Sequence, residues 1–141
     1  MICPSKTHGA FLLIALSLLA LIGCSPARSP LDGTQWRLTE WTLSSLNPAD
    51  FTITAQFANG QVSGNSGVNT YGGPYKLGRG AAFSAGPLAG TEMGGPEAAM
   101  RAETAYLTLL GQAKSCKMAD RKMTLYDKSG NESLIFEAAS K

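Results

Sequence analysis

The sequence predicts an α+β domain: a small, strongly curved antiparallel sheet, a partly open barrel of about eight strands, with one α-helix packed across it. Three observations carry this expectation. Phe51, Ile53, Ala55 and Phe57 alternate with Thr52, Thr54 and Gln56, the period-two pattern of a half-buried strand, and Asn59-Gly60 supplies a two-residue hairpin turn directly afterwards. Residues 115–138 repeat the theme as short strand-length runs separated by polar turns. Between these two regions, the stretch after Pro96 is the one part of the chain beyond the leader with a convincing helical pattern.

Taken in order, residues 1–23 read as a leader. Lys6 precedes an apolar run of 12 residues, Phe11 to Ile22, too short for a bilayer span of about 20 residues and suited to a secretory signal. Leu21-Ile22-Gly23-Cys24 then has the form of a bacterial lipobox, which makes Cys24 the expected lipidated first residue of the mature chain; a chance cysteine beside an ordinary signal sequence, or an uncleaved anchor, is the plainer alternative. Ser25 after the cysteine fits sorting to the outer membrane. Residues 24–30 form the lipidated tether, with Pro26 and Pro30, and 31–141 the folded domain.

The domain opens with a strand through Trp36 and Leu38 on one face and Arg37, Thr39 and Trp41 on the other. One tryptophan is thus expected in the core and one at a rim. The central hairpin returns through Gln61, Val62 and Ser63 into a glycine-rich stretch ending at Gly73. Gly64 and Gly67 there point to a bulge, a barrel corner or close backbone approach. Strands follow at Tyr75–Leu77 and Ala81–Ala85, then irregular chain from Gly86 to Gly95. The helix is expected from Pro96 to about Leu110, with Gly111 as its stop. Its stripe of Ala99, Tyr106, Leu109, Leu110 and Ala113, widened by Met100 and Leu107, reads as a core face rather than a partner site. Ser115–Ala119, Met123–Asp127 and Leu134–Ala138 complete the sheet.

Charge and cysteine content narrow the function. Without Lys6 the chain holds 11 basic and 10 acidic residues with no block of like charge, so no nucleic-acid footprint is present. Cys3 leaves with the leader and Cys24 takes lipid, so Cys116 has no intramolecular partner; it reads as a buried inert thiol, with a reactive or intermolecular thiol as the alternative.

With these pieces placed, the chain resembles the META domain family of HslJ-like lipoproteins. The resemblance rests on the run from Leu31 through Gly33 and Trp36 to Leu38, on Ile53 to Phe57 with Gly60 and Gly64, and on Asn65 to Tyr71, including Gly67 and Asn69. Tyr75, Thr91 and Met93, Glu103 to Leu107, Met123 to Asp127 and Leu134 to Phe136 extend it across nearly all of residues 31–138. It implies the curved sheet with a helix across its open side, already expected from the pattern. Family members carry cysteines at the positions of Val68 and of Gly94 or Gly95. Their joint absence here implies that the two positions are neighbours, and it excludes thiol chemistry at both.

The chemistry available is sparse. His8, the one histidine, lies in the leader, so imidazole-based nucleophilic catalysis is excluded from the domain, and no cofactor or zinc ligand set is expected. Gly64 to Gly67 lacks the lysine of a phosphate-binding loop and reads as a barrel corner. Glu103 falls within the helix's apolar side, which points to a partly buried structural carboxylate before a catalytic one. Two functions follow as expectations. The first is a non-catalytic outer-membrane lipoprotein with a binding role, to which the resemblance adds an association with heat shock and novobiocin resistance. The second is a pilot or assembly factor for an outer-membrane complex such as a secretin, holding a lipid tail or peptide in a groove lined by Phe83, Met93 and Met100. Partners are the membrane, through the lipid, and an envelope protein or lipid; oligomeric state is left open.

Overall fold

The computed structural model of the chain describes residues 27–42 and 44–140; the leader, His8 and Cys24 lie outside the described residues. Its strands are β1 (Thr34–Trp41), β2 (Thr54–Ala58), β3 (Gln61–Asn65), β4 (Thr70–Leu77), β5 (Phe83–Ala85), β6 (Ala89–Gly90), β7 (Ser115–Ala119), β8 (Lys122–Tyr126) and β9 (Glu132–Ala138), with helix α1 (Glu97–Gln112) between β6 and β7. Eight of them form one antiparallel path, β5-β4-β3-β2-β1-β9-β8-β7, and the short β6 pairs with β4 beside β5. The two ends of the path almost meet. Phe83 N–H donates to the Lys114 carbonyl at 2.8 Å, and Ala82 bridges Ser115. The sheet is therefore a nearly closed barrel, as expected, with α1 across it.

Local chemistry explains the turns. Asn59 and Gly60 both adopt positive φ, 52° and 74°, and join β2 to β3 as a tight hairpin with Ala58 opposite Gln61. Asp120 and Arg121 do the same for β7 and β8, at 50° and 63°. Inside the barrel, Phe57 meets Tyr75 edge-on at 4.9 Å and Phe83 at 6.4 Å, while Tyr106 of α1 meets Tyr71 at 5.4 Å and Phe136 at 6.3 Å. Aromatic pairs at these separations add to the area they remove from water. Leu31, Ile53, Val62, Met123, Leu125 and Leu134 fill the spaces between them and are fully buried.

Several expectations are corrected by long-range pairing. Both tryptophans are buried, because the register of β1 on β9 shifts between Leu38 and Glu40. The extra residue reverses the alternation and turns Trp41 inward; its indole N–H donates to the Leu46 carbonyl at 2.7 Å. Phe51 closes a 3-10 turn, Pro48–Asp50, rather than starting a strand. Ala81 belongs to a second such turn, Arg79–Ala81, so β5 begins only at Phe83. The helix passes through Gly111 to Gln112, and Ala113, 1% exposed, ends it by entering the core. Ala102 is buried where Ala99 and Met100 are half-buried, which rotates the core stripe by about one residue.

Candidate functional site

The polar residues of the glycine-rich stretch converge on one point. Glu103, half-buried on α1, projects toward the loop between β3 and β4. Its Oε2 accepts from the Ser66 hydroxyl at 2.5 Å and from Asn69 N–H at 2.8 Å, and its Oε1 accepts from Asn69 Nδ2 at 2.9 Å. The Ser66 hydroxyl also lies 2.8 Å from the Asn69 carbonyl, which accepts Ser66 N–H at 2.8 Å as well; its single proton goes to the carboxylate, because a charge-assisted bond is the stronger. Burial alone would raise the Glu103 carboxyl; donation from Ser66, from Asn69 and from the Val68 backbone outweighs it and holds the group below the ordinary carboxylate range.

Asn69 is the hub of the cluster, and its amide is fully used. Nδ2 donates to Glu103 and to the Met93 carbonyl at 3.1 Å, while Oδ1 accepts from Thr91 Oγ1 and Met93 N–H, both at 2.8 Å. Glu103 is an acceptor only, which fixes the orientation of the amide. The cluster ties together the β3–β4 loop, the Thr91–Met93 segment and the first half of α1. An ionised carboxylate enclosed by donors neither gives nor takes a proton readily; the arrangement is an anchor.

Glycine lets the backbone reach this geometry. A Cβ on Gly64 would lie 2.1 Å from the Thr54 carbonyl oxygen, so no side chain fits there. Gly67 has φ of +121° and passes the α1 backbone near Ala99. The same Thr54 carbonyl accepts from the Tyr71 hydroxyl at 2.9 Å. That commits the Tyr71 proton, so Tyr106 is the donor in the 2.6 Å contact between the two hydroxyls. Burial raises both phenols above their ordinary range.

The remaining predicted residues are not gathered with these. Trp36 is buried, and its indole N–H is held by Thr34 at 2.7 Å. Gly60 sits in the β2–β3 turn. Phe83 is 3% exposed inside the barrel, Met93 is 58% exposed outside it and Met100 is half-buried on α1, so the three do not line one groove. Cys116 is buried, and that burial pushes its thiol up to about 11, which disfavours the nucleophilic thiolate. Val68 and Gly95 are indeed neighbours: a Cβ on Gly95 would lie 2.8 Å from a Val68 methyl, whereas one on Gly94 would meet nothing. Sequence reasoning missed Ser66 and Thr91 as members of the hub, and Tyr75, whose buried hydroxyl has no partner among the described residues. Serine and threonine in a glycine-rich loop carry no signal that separates a buried partner from a solvated turn.

The sequence pattern of the META domain matches residues 29–140, the whole barrel with its helix. The chain belongs to the META domain family. Among solved structures, an NMR structure of a protein from Burkholderia xenovorans is 30% identical, with a TM-score of 0.65 over 79% of this chain and 85% of that one. A second NMR structure superposes with a TM-score of 0.59 at 16% identity, covering 76% of this META domain chain and 90% of the other. A DUF4847 family protein from Bacteroides vulgatus gives 0.57 at 11% identity, over 79% and 96%. These last two share the fold alone. No curated protein matches the sequence.

Proposed function

We infer that the protein is a non-catalytic META domain lipoprotein of the bacterial envelope, anchored through Cys24 and acting by binding at its outer surface. One observation carries this reading: the motif side chains best suited to chemistry, Glu103, Asn69 and Ser66, are bonded to one another and hold three chain segments together. The lipobox at Leu21–Cys24 supports the anchor, and Ser25 supports the periplasmic face of the outer membrane. The stress association of HslJ-like lipoproteins comes to this chain through the family.

The pilot or assembly reading is favoured by a different feature. Phe57, Tyr75 and Phe83 are buried in the interior and pack on one another, which counts against an acyl chain held there. The outer edge of β7, however, is the end of the sheet path, and beyond Ser115 no strand among the described residues covers it. A partner's extended peptide could add there as a further strand.

Expression of the full chain in a Gram-negative host with labelled palmitate tests the anchor: label is expected on the wild type and absent from Cys24→Ala. Native mass spectrometry of the purified protein then reads what is held. A bound peptide released by a proline in β7 supports the assembly reading. Turnover of a substrate, lost in a carboxylate variant that stays folded, overturns the non-catalytic one.

A further inference from the structure

The chain's entry into the barrel sets which end can face a membrane. Leu31 is buried in the barrel and Asp32 Oδ1 accepts from Asn59 N–H in the β2–β3 turn at 2.5 Å, while the exposed Arg28 pairs with Asp32 at 2.9 Å. A cleft of about 350 Å³ runs between Ala27–Asp32 and Asn59, Gly60, Tyr75 and Leu77. The β4–β5 turn therefore lies at this end too, because it follows Leu77 directly. So does the β7–β8 turn, since Arg121 donates to the Ala138 carbonyl and Ala139 N–H donates to Gln35 at the start of β1. From Ala27 back to Cys24 is three residues, a reach of about 10 Å even when fully extended.

Charge is distributed unevenly between the two ends. At the tether end Arg28 and Asp32 pair with each other, which leaves Lys76, Arg79, Arg121 and Lys122 against Asp120 and Glu137. The opposite end, formed by the β1–β2 connection, the approach to α1 and the β8–β9 turn, carries Asp50, Glu92, Glu97, Asp127 and Glu132 against Lys128, while Lys114 lies between the ends, at the seam where its carbonyl accepts from Phe83. An anionic bilayer surface attracts the first end and repels the second, over about a Debye length of 8–10 Å.

Resting on the Cys24 anchor inferred above, we propose that the basic end of the barrel, with Arg79 and Arg121 foremost, is a membrane-docking face for anionic phospholipid headgroups. It holds the domain end-on, with the acidic end and α1's N-terminus turned away from the bilayer. The occupant is the lipid surface that carries the anchor, chosen by the short reach from Ala27 and by the sign of the charge.

The test uses the full chain, processed by a Gram-negative host, in vesicles of phosphatidylethanolamine with phosphatidylglycerol or of phosphatidylcholine alone. A fluorophore is placed by Ser140→Cys at the tether end or by Ser129→Cys in the β8–β9 turn; Cys116 is buried and stays unlabelled. Headgroup-attached nitroxide is expected to quench the first label several-fold more than the second on phosphatidylglycerol. Arg79→Glu with Arg121→Glu, or high salt, is expected to shrink that ratio toward the phosphatidylcholine value while the protein stays attached. Equal quenching of the two labels on attached, lipidated protein overturns the docking face and leaves the anchor standing. Absence of lipid in the intact mass overturns the anchor, and the docking face with it.

Discussion

Glu103 shows at the scale of one residue how a charged group serves a fold. Its two oxygens accept from Ser66 and Asn69, so Glu103→Gln would turn an amide NH2 against donors and remove a charged acceptor. Hydrogen bonds to charged groups are worth about 1.5–3 kcal/mol, and the variant is expected to lose about 2 kcal/mol by urea unfolding at neutral pH. The pH dependence has a defined sign. The folded carboxyl lies below its ordinary 4.5, so its contribution is complete above that value and is lost as pH falls through the folded one. The gap between wild type and variant should hold steady at neutral pH and narrow below about 4.5; a gap that widens with acid would contradict the assignment. The tyrosines give a paired contrast. Tyr106→Phe removes the donor to Tyr71 and should cost about 1 kcal/mol, whereas Tyr75→Phe removes a buried hydroxyl with no partner and should be neutral or stabilising by about 1 kcal/mol. Thermal midpoints of the two variants moving in the same direction would refute this reading.

Among the elements, the hairpins were legible in the sequence because their determinants are local. Asn59, Gly60 and Asp120 adopt the positive φ that their residue types tolerate, Arg121 is carried into it by the tight turn, and period two marks the strands beside them. The departures are long-range. Trp41 turns inward because β1 slips against β9, nearly a hundred residues away in sequence, and no local pattern encodes that shift. Most of the hub was visible only as a set of resembling residues. Glu103 on an apolar helix side was the single physical hint, while Ser66 and Thr91 gave none. One inference from absent cysteines does become geometry, in the contact between Val68 and Gly95. Val68→Cys with Gly95→Cys is therefore expected to form a disulfide under oxidising conditions and to raise stability by about 3 kcal/mol, through a loop of this length. The control pair with Gly94→Cys should not. Bridging by the control and not by the first pair, read by intact mass after thiol blocking, would place the two segments differently.

For the molecule as a whole, the decisive feature is that the barrel closes by so little. β1 through β4 and β7 through β9 are each joined by ladders of several pairs, but the ends of the path meet through one bond from Phe83 to Lys114 and one bridge from Ala82 to Ser115. Cooperative stability follows buried contact, so this seam is the place where local opening is cheapest, while Phe57, Leu125 and Phe136, fully buried on well-paired strands, open only with the whole domain. The seam does carry a side chain of weight: Phe83 closes it from inside against Tyr75 and Phe57. Local opening there would expose that ring and extend the free edge that already runs along β7 from Cys116 to Ala119. Amide hydrogen exchange is the measurement. The Phe83 amide is expected to exchange by a local route, largely insensitive to low denaturant, and faster than the amides of Phe57 and Leu125, which should track global unfolding. If Phe83 exchanges as slowly as those two, with the same denaturant dependence, the seam opens only with the domain, and β7's edge is no wider in solution than the few residues already free.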